Sequence, residues 1–441
     1  MRDWNAQRRL GRRQLVLLPC LVLAALVVLV LQPRLAGELM RLGAYALVAA
    51  VVGMKLAMVA LARRPSMPAP LSWDRLPSYT VIAPMYREAS VCPQLVAHLD
   101  ALEYSRDRLQ ILLTLESDDG ETRAALEAMA LPRGFEIFVA PPGWPKTKPR
   151  ACNEAMKAAR GELLVIYDAE DRPEPGQLLE AAARFAMEPE MGCFQAPLRI
   201  DQTRGFLGEQ FAFEYAAQFE TLLPALQRLG APFPLGGSSN HFRTATLRAL
   251  GGWDPHNVTE DADLGFRMAA AGIRCGLLAT PTWEEPPHQL KDWVPQRSRW
   301  VKGHLQTWLV HMRRPVSGGV RRFLAIQATL GLGVVSAVAH GPLAALLLVD
   351  IFLRLTGLKE PPLRLEDGAL LLASFSAALV TMLLGARRAT VKLGWRQALQ
   401  APLYWPLHSI AAARASWQLV RAPFHWEKTA HQPVGAGRTA G

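Results

Sequence analysis

Glu162-Leu163-Leu164-Val165-Ile166-Tyr167-Asp168-Ala169-Glu170-Asp171 is an apolar run that ends in a cluster of acids. Its uncharged stretch, with β-branched Val165 and Ile166, fits a strand covered on both faces, as inside a parallel sheet. A chain that passes from such a strand straight to Asp168 puts that carboxylate at the carboxyl edge of the sheet, where open α/β folds bind ligands. The pattern recurs on either side. Tyr79-Thr80-Val81-Ile82-Ala83 reads as a buried strand, 109–115 as a second, 135–140 as a third and 162–167 as the fourth. Helices are expected at 91–102, 122–129, 151–159 and 177–186. Strands alternating with helices predict an α/β domain with a doubly wound, mostly parallel sheet.

Outside that domain the chain turns apolar. Hydrophobic residues fill 50% of its 441 positions, charged residues 20%, and the formal charge is +11. Such a balance suits a face resting on anionic lipid, or a phosphate-bearing ligand. Zinc-finger spacing, a helix-turn-helix signal and RNA-binding aromatic strands are all missing, which argues against nucleic acid as a partner. Cys20, Cys92, Cys152, Cys193 and Cys275 are odd in number, widely spaced and form no C-x-x-C pair. Reduced thiols, mostly buried in a cytosolic domain, are expected rather than a disulfide framework or a zinc site.

Residues 15–31 form an uncharged apolar run and 42–62 a second, broken only by Lys55. Each approaches the ~20 residues that cross ~30 Å of hydrocarbon. Arg8, Arg9, Arg12 and Arg13 precede the first run as they would a signal peptide. No A-x-A cleavage site follows and a second run comes at once, so a retained hairpin anchor is expected. Its basic flanks, Arg63 and Arg64 included, put both ends in the cytoplasm. Downstream, 323–355 is too long for one ordinary span and carries Gly341-Pro342 near its middle. That predicts a tight hairpin of two short helices, with Asp350 turned toward protein. A span at 369–384 and a weaker one at 401–420, with Arg414 inside it, complete the set. Six spans leave the C-terminus in the cytoplasm and the basic stretch 387–396 outside, against the positive-inside tendency. Five spans remove that conflict and put the tail outside. Residues 65–77 read as a proline-rich linker, and the last dozen residues as disordered.

Four polar clusters stand in order between the apolar ends: Glu116-Ser117-Asp118-Asp119-Gly120, Tyr167-Asp168-Ala169-Glu170-Asp171, Thr259-Glu260-Asp261 and Gln296-Arg297-Ser298-Arg299-Trp300. Asp168 and Glu170, one residue apart in an extended segment, can both reach a hard cation. Mg²⁺ or Mn²⁺ held this way takes its other ligands from water and substrate phosphates. An isolated D-x-E is more often a solvated turn; the strand before it is what favours a site. Asp118 and Asp119 stand at the corresponding edge, placed to accept hydrogen bonds from a ribose or a base, although Asp-Asp-Gly alone is a common turn. Lys148, five residues before Asn153, offers a cation to a diphosphate or to the acidic edge. Thr259 is placed to cap a helix over 260–271 with Glu260 and Asp261 in its first turn. A catalytic role further requires Asp261 to face the cleft as a general base. Two arginines and an indole in one helical turn can clamp phosphate oxygens and stack on a sugar face. The same segment also reads as an amphipathic helix on a membrane, with Trp293, Trp300 and Trp308 at the interface, and 209–229 has a similar interfacial look.

Taken together, the ordered clusters resemble the signature of processive, membrane-embedded family-2 glycosyltransferases, the group of cellulose, chitin and hyaluronan synthases. That signature is an Asp, a D-x-D, a T/E-E-D and a Q-x-x-R-W. Here the matching residues are Asp118 or Asp119, Asp168-x-Glu170, Thr259-Glu260-Asp261 and Gln296-x-x-Arg299-Trp300. Ile82-Ala83-Pro84-Met85-Tyr86-Arg87-Glu88 resembles the family's first nucleotide-binding strand and turn, Lys148 with Asn153 its lysine-to-asparagine element, and Gly236-Gly237-Ser238-Ser239-Asn240 its acceptor loop. The likeness covers roughly 78–312. Glu170 departs from the usual Asp, and no counterpart of the extra C-terminal regulatory domain of cellulose synthases is expected. Trp426-Glu427-Lys428-Thr429 looks like the end of a subgroup of bacterial synthases with varied products.

The resemblance implies a GT-A-like domain and an inverting transfer from a nucleotide-diphosphate sugar, most simply a UDP-sugar, to a growing β-linked polysaccharide. It implies that Pro84, Tyr86, Glu88, Asp118, Asp119, Lys148, Asp168 and Arg299 hold the donor, and that Asp168 and Glu170 bind Mg²⁺ or Mn²⁺. Asp261 with Glu260 would serve the proton transfer, and Ser238, Ser239, Gln296 and Trp300 the acceptor. The expected division is a membrane hairpin (1–64), a linker (65–77), a cytoplasmic transferase domain (78–291), an interfacial helix (292–320), a second membrane region (321–422) and a tail (423–441), in the inner membrane. Transfer of one sugar to a lipid or short glycan is the rival enzyme, and a non-catalytic export scaffold the rival of another class.

Overall fold

The computed structural model describes residues 4–8, 10–201, 203–358 and 365–425, so the expectations for 426–441 lie outside it. Two long helices open the chain, α1 (Arg12–Leu31) and α2 (Pro33–Leu61). α2 starts well before the expected apolar run because Pro33 occupies its first turn, where a missing N–H costs nothing. Leu15, Val22 and Leu26 on α1 are more than half exposed and contact little protein.

The central unit follows as β1 (Tyr79–Met85), α3 (Cys92–Asp100), β2 (Leu109–Glu116), α4 (Gly120–Glu127), β3 (Phe135–Ala140), α5 (Lys148–Ala158), β4 (Leu163–Ile166), β5 (Arg172–Pro173) and α6 (Gln177–Met187). Next come β6 (Met191–Gln195), β7 (Leu198–Ile200), α7 (Gly205–Ala217), α8 (Leu223–Arg228), β8 (Asn240–Arg243), α9 (Thr244–Ala249), α10 (Glu260–Ala270), β9 (Arg274–Leu277) and β10 (Thr282–Glu284). The main sheet runs β3-β2-β1-β4-β8-β6-β9, and a small one β5-β10-β7. Every neighbour in the main sheet is parallel except β8, which is antiparallel to both β4 and β6. This is the expected α/β sheet of GT-A type, with one reversed strand. Period-two alternation loads both faces: Val81, Ala83 and Leu113 pack into one core, Ile82, Leu112 and Leu164 into the other.

The C-terminal third holds α11 (Leu290–His311), α12 (Gly319–Ile326), α13 (Leu332–Leu355), α14 (Leu365–Ala389), α15 (Trp395–Ala398) and α16 (Ala401–Arg421). Among the described residues four helices are long and apolar enough to cross a membrane: Arg12–Leu31, Pro33–Leu61, Gly319–Leu355 and Gly368–Ala389.

Three expectations are corrected here. Residues 323–355 are not a hairpin of two helices; α12 continues through a π-helical turn, Gln327–Gly331, into α13, and Pro342 lies inside it. The proline is tolerated because Ser409 of α16 repairs the ladder. Its Oγ accepts the Gly341 N–H at 2.7 Å and donates to Ala337 O at 2.7 Å and Val338 O at 3.3 Å. With one helix there, the basic end of α14 packs against the central unit and the end of α2: Arg388 donates to Glu220 O at 3.1 Å and Ala62 O at 2.9 Å. Next, α16 is not among the membrane-length apolar helices, and the chain at each of its ends is tied to α7 or α11 rather than left in a membrane span. Gln210 Nε2 donates to Gln397 O at 2.7 Å near one end, and Gln306 Nε2 to Pro423 O at 2.9 Å at the other. Last, 209–229 is core rather than interface, since Phe211 and Phe213 are fully buried. Asp350 finds its partner on its own helix, Arg354, at 2.6 Å.

Candidate active site

One cavity of about 370 Å³ opens at the carboxyl ends of β1, β2 and β4. Its first end is built by the turn after β1. Pro84, Tyr86 and Glu88 line it, and Arg87 between them sits at φ 55°, a left-handed strain that turns the chain sharply. The turn is locked from outside the cavity by Asp119, whose carboxylate takes the N–H of Arg87 and, at 3.2 Å, that of Thr122 at the start of α4. Asp119 is therefore a buried cap and does not line the cavity. Asp118 stands at the rim, 3.4 Å from the Tyr86 hydroxyl and paired with Lys146. Lys146 lies 4.0 Å over the Tyr86 ring.

The middle is acidic. Lys148, at the first position of α5, reaches Asp168 Oδ1 at 2.5 Å and Gly237 O at 2.8 Å. Asp171, buried beneath, accepts the Asp168 N–H at 2.7 Å and the Ser238 hydroxyl, so the D-x-E turn is tied to the Gly236–Asn240 loop. Ser238 lines the cavity; Ser239 does not, and donates behind it to Thr282 Oγ1 at 2.6 Å. Glu260 and Asp261 enter from the first turn of α10. Thr259 occupies the N-cap position, but its side chain makes no capping bond, which corrects the expected cap. Asp261 lines the cavity, and its Oδ1, shielded from solvent, has no hydrogen-bond partner among the described residues.

α11 closes the other end. Gln296, Arg299, Trp300 and His304 share its cavity face at helical spacing. Arg297 points the opposite way, into an ion pair with Glu214, with its guanidinium 4.5 Å from the Trp300 ring and 4.6 Å from that of Phe211. The surface-helix reading of the tryptophans is corrected: Trp293 is fully buried and donates to the Tyr404 hydroxyl at 2.9 Å, and Trp308 donates to Gln327 Oε1 at 3.0 Å. α11 can lie this close to the Thr259 turn because residue 303 is glycine; a Cβ there would come within 2.4 Å of the Thr259 side chain.

The charges govern one another. Burial, reinforced by the Asp261 charge, pushes the Glu260 carboxyl up to about 8. Burial raises Asp261 too. Burial alone would lower the Lys148 ammonium, but Asp168 and Glu260 outweigh it and hold it above an ordinary lysine. Around Lys148 and Arg299 stand five carboxylates: Asp168, Glu170, Glu260, Asp261 and Glu284. Glu260 and Glu284 hold their protons up to about 8, which reduces the negative charge that an anionic ligand meets here. Among the described residues no group of three or more His, Cys, Asp or Glu side chains forms a ready cage for a metal. Two hard carboxylate donors on the cavity wall, Asp168 and Glu170, fit a divalent cation that arrives with a phosphate.

Sequence reasoning missed several of these groups. Lys146 was passed over for Lys148, two residues on. Glu284 follows an unremarkable Thr-Trp pair, and Tyr215 sits on a segment that read as interfacial.

Comparison with known proteins decides the family. The family described as "Glycosyl transferase family group 2" matches residues 163–412, and "Glycosyl transferase family 2" matches 80–244. The chain belongs to glycosyl transferase family group 2. This family 2 glycosyltransferase is 25% identical over 238 residues to the probable glycosyltransferase YdaM of Bacillus subtilis, across 52% of this chain and 56% of that protein. It is 25% identical over 247 residues to a beta-monoglucosyldiacylglycerol synthase of Synechocystis, across 54% and 50%. It is 22% identical over 235 residues to a poly-beta-1,6-N-acetyl-D-glucosamine synthase of Staphylococcus aureus, across 52% and 55%. The matches span about half the length of these curated relatives. Among solved structures, a mannosyltransferase of Pyrobaculum calidifontis, in complex with GDP-Man and Mn²⁺, superposes with a TM-score of 0.56 at 19% identity, over 85% of this chain and 97% of that one. That likeness shows the fold.

Proposed function

We propose that the protein is an inverting, membrane-embedded glycosyltransferase that moves a sugar from a UDP-sugar to a growing β-linked polysaccharide at the cytoplasmic face of the inner membrane. The observation that carries this reading is the convergence of Asp168, Glu170, Glu260, Asp261, Arg299 and Trp300, from three distant parts of the chain, on one cavity. The name of the staphylococcal relative supports a polysaccharide product, and the four membrane-length helices support a membrane setting. The division into hairpin, linker, transferase domain, α11 segment, second membrane region and tail belongs to the same proposal, as does passage of the product across the membrane.

In this reading the nucleoside lies at the Tyr86 end, between Pro84, Glu88 and Asp118, and Lys148 and Arg299 face the diphosphate. Mg²⁺ or Mn²⁺, held by Asp168 and Glu170, would offset the charge that develops on the departing diphosphate. The acceptor hydroxyl attacks the anomeric carbon from the side opposite the diphosphate, a C–O bond to the acceptor forms, the C–O bond to phosphate breaks, and Asp261 takes the hydroxyl proton. Glu260, kept protonated up to about 8, leaves its neighbour Asp261 as the basic member of the pair. Trp300 offers its face to the acceptor ring.

A second reading, transfer of one sugar to a lipid, is favoured by the cavity's far end. Leu222 and Leu330 line it, and Leu330 belongs to the membrane-length helix Gly319–Leu355. Incubating the detergent-purified protein with UDP-sugars, Mn²⁺ and either lipid or oligosaccharide acceptors, then sizing the product, separates the two. A ladder of lengthening chains fits polymer synthesis; a single glycolipid fits the second reading, and no product from any donor overturns both.

A further inference from the structure

β10 brings a carboxylate into the cavity that none of the four motifs contains. Glu284 lines its wall, and its place is fixed by backbone pairing. It stands opposite Ile200 of β7, and its carbonyl accepts the Asp201 N–H at 2.9 Å. Two residues earlier on the same face of the strand, Thr282 is bonded to Ser239 behind the Gly236–Asn240 loop. The Glu284 side chain accepts a hydrogen bond from the Tyr215 hydroxyl. Asp168, Glu116 and Glu214 each face a cation, Lys148, Arg150 and Arg297; among the described residues Glu284 has no such ion pair. Once ionised, a carboxylate has room for about four hydrogen bonds, so one phenol leaves most of its capacity turned to the cavity. Next to it stands an aromatic wall: the Tyr215 ring lies 6.2 Å from that of Trp300 and 5.7 Å from that of Phe219. A fixed carboxylate beside aromatic faces is the chemistry that recognises a pyranose, with the ring's C–H face on the aromatics and a hydroxyl donating to the oxygen.

We propose that Glu284, oriented by Tyr215, accepts a hydrogen bond from one hydroxyl of the sugar ring in the cavity and so sets which sugar the enzyme takes. The assignment rests on the nucleotide-sugar reading above. The hydroxyl belongs either to the transferred sugar or to the acceptor sugar, and the chemistry is the same for both. Tyr215 is a positioning residue in this arrangement.

The test uses the full chain in detergent. Affinities are titrated without acceptor for UDP, for the UDP-sugar that the wild type binds best, and for monodeoxy forms of that sugar. Acceptor KM is then measured with the matching monodeoxy acceptors. With the titrations run at about pH 9, where Glu284 has given up the proton it holds up to about 8, a hydrogen bond to a charged group is lost with one deoxy form, so the wild type should discriminate against it by roughly 10- to 100-fold. Glu284→Gln should collapse that ratio and leave UDP affinity unchanged; Glu284→Asp should keep part of it, and Tyr215→Phe should reduce it. Loss in the donor titrations assigns the hydroxyl to the transferred sugar; loss confined to acceptor KM assigns it to the acceptor. Glu284→Gln that keeps the wild-type ratio in both arms overturns the proposal. So does a variant that loses UDP and UDP-sugar affinity alike, because the residue would then be holding the site together. A wild type that binds no UDP-sugar refutes the nucleotide-sugar reading itself and this assignment with it.

Discussion

Changing Asp261 to asparagine separates proton removal from binding. The side chain keeps its shape, its Oδ1 has no hydrogen-bond partner among the described residues, and the amide oxygen can still accept the backbone N–H groups of Asp261 and Ala262 that the carboxylate accepts, so the fold and the cavity should persist. What disappears is the group that takes the acceptor proton. Losing a general base costs roughly 10²–10⁴ in rate, or about 2.7–5.4 kcal/mol of barrier. A second effect runs the other way. After burial, the Asp261 charge is the largest cause of the raised Glu260 carboxyl, which should fall from about 8 toward the ordinary range in the variant. One less negative charge also lowers the repulsion met by a diphosphate, so donor affinity should hold or tighten. Release of nucleoside diphosphate by the purified protein gives kcat, and calorimetric titration gives donor Kd. The expected pattern is a collapsed kcat beside an unchanged or smaller Kd. Turnover comparable with the wild type, or a parallel loss of donor binding, refutes the assignment of Asp261 as base.

Asp168→Ala should abolish both transfer and the response of donor affinity to Mn²⁺, read by titration with and without chelator; a variant still active in chelator contradicts the metal role of the D-x-E turn. Gly303→Ala drives a methyl against Thr259 and should destabilise by about 1–3 kcal/mol, seen as a lower Tm; an unchanged Tm means the α11 contact yields freely. Glu260 and Glu284 each hold their proton up to about 8 in the fold, well above an unfolded glutamate. The folded state therefore binds more protons between those values, and stability present at low pH is lost as pH climbs from near 5 to near 8. Tm should fall over that window, less so in Glu260→Gln; a rise in Tm with pH would contradict the burial argument. Ser409→Ala removes the hydroxyl that bridges the ladder around Pro342 and should cost about 1 kcal/mol, measurable as lower thermal stability in detergent.

Much of the site was legible because strand ends are readable. The largely apolar strands Leu109–Glu116 and Leu163–Ile166 place Asp118 and Asp168 at one sheet edge, where open α/β folds bind ligands. Asp119 was indistinguishable from Asp118 in sequence; only the left-handed Arg87 turn, which needs its N–H groups held, makes it a cap. Trp293 and Trp308 misled because helix periodicity says which residues share a face and not what that face meets. Pro342 misled for a related reason: whether a helix survives a proline depends on a partner such as Ser409, distant in sequence. Glu284 carries no local signal at all, because its role comes from the register of β10 on β7.

Mixing the detergent-purified chain with a panel of UDP-sugars, Mn²⁺ and acceptor, and following UDP release, measures the central claim. Release by the wild type that is lost in both Asp168→Ala and Asp261→Asn is the predicted result. UDP release that persists undiminished in both variants, or is absent with every donor, would contradict the gathering of these carboxylates around one sugar nucleotide.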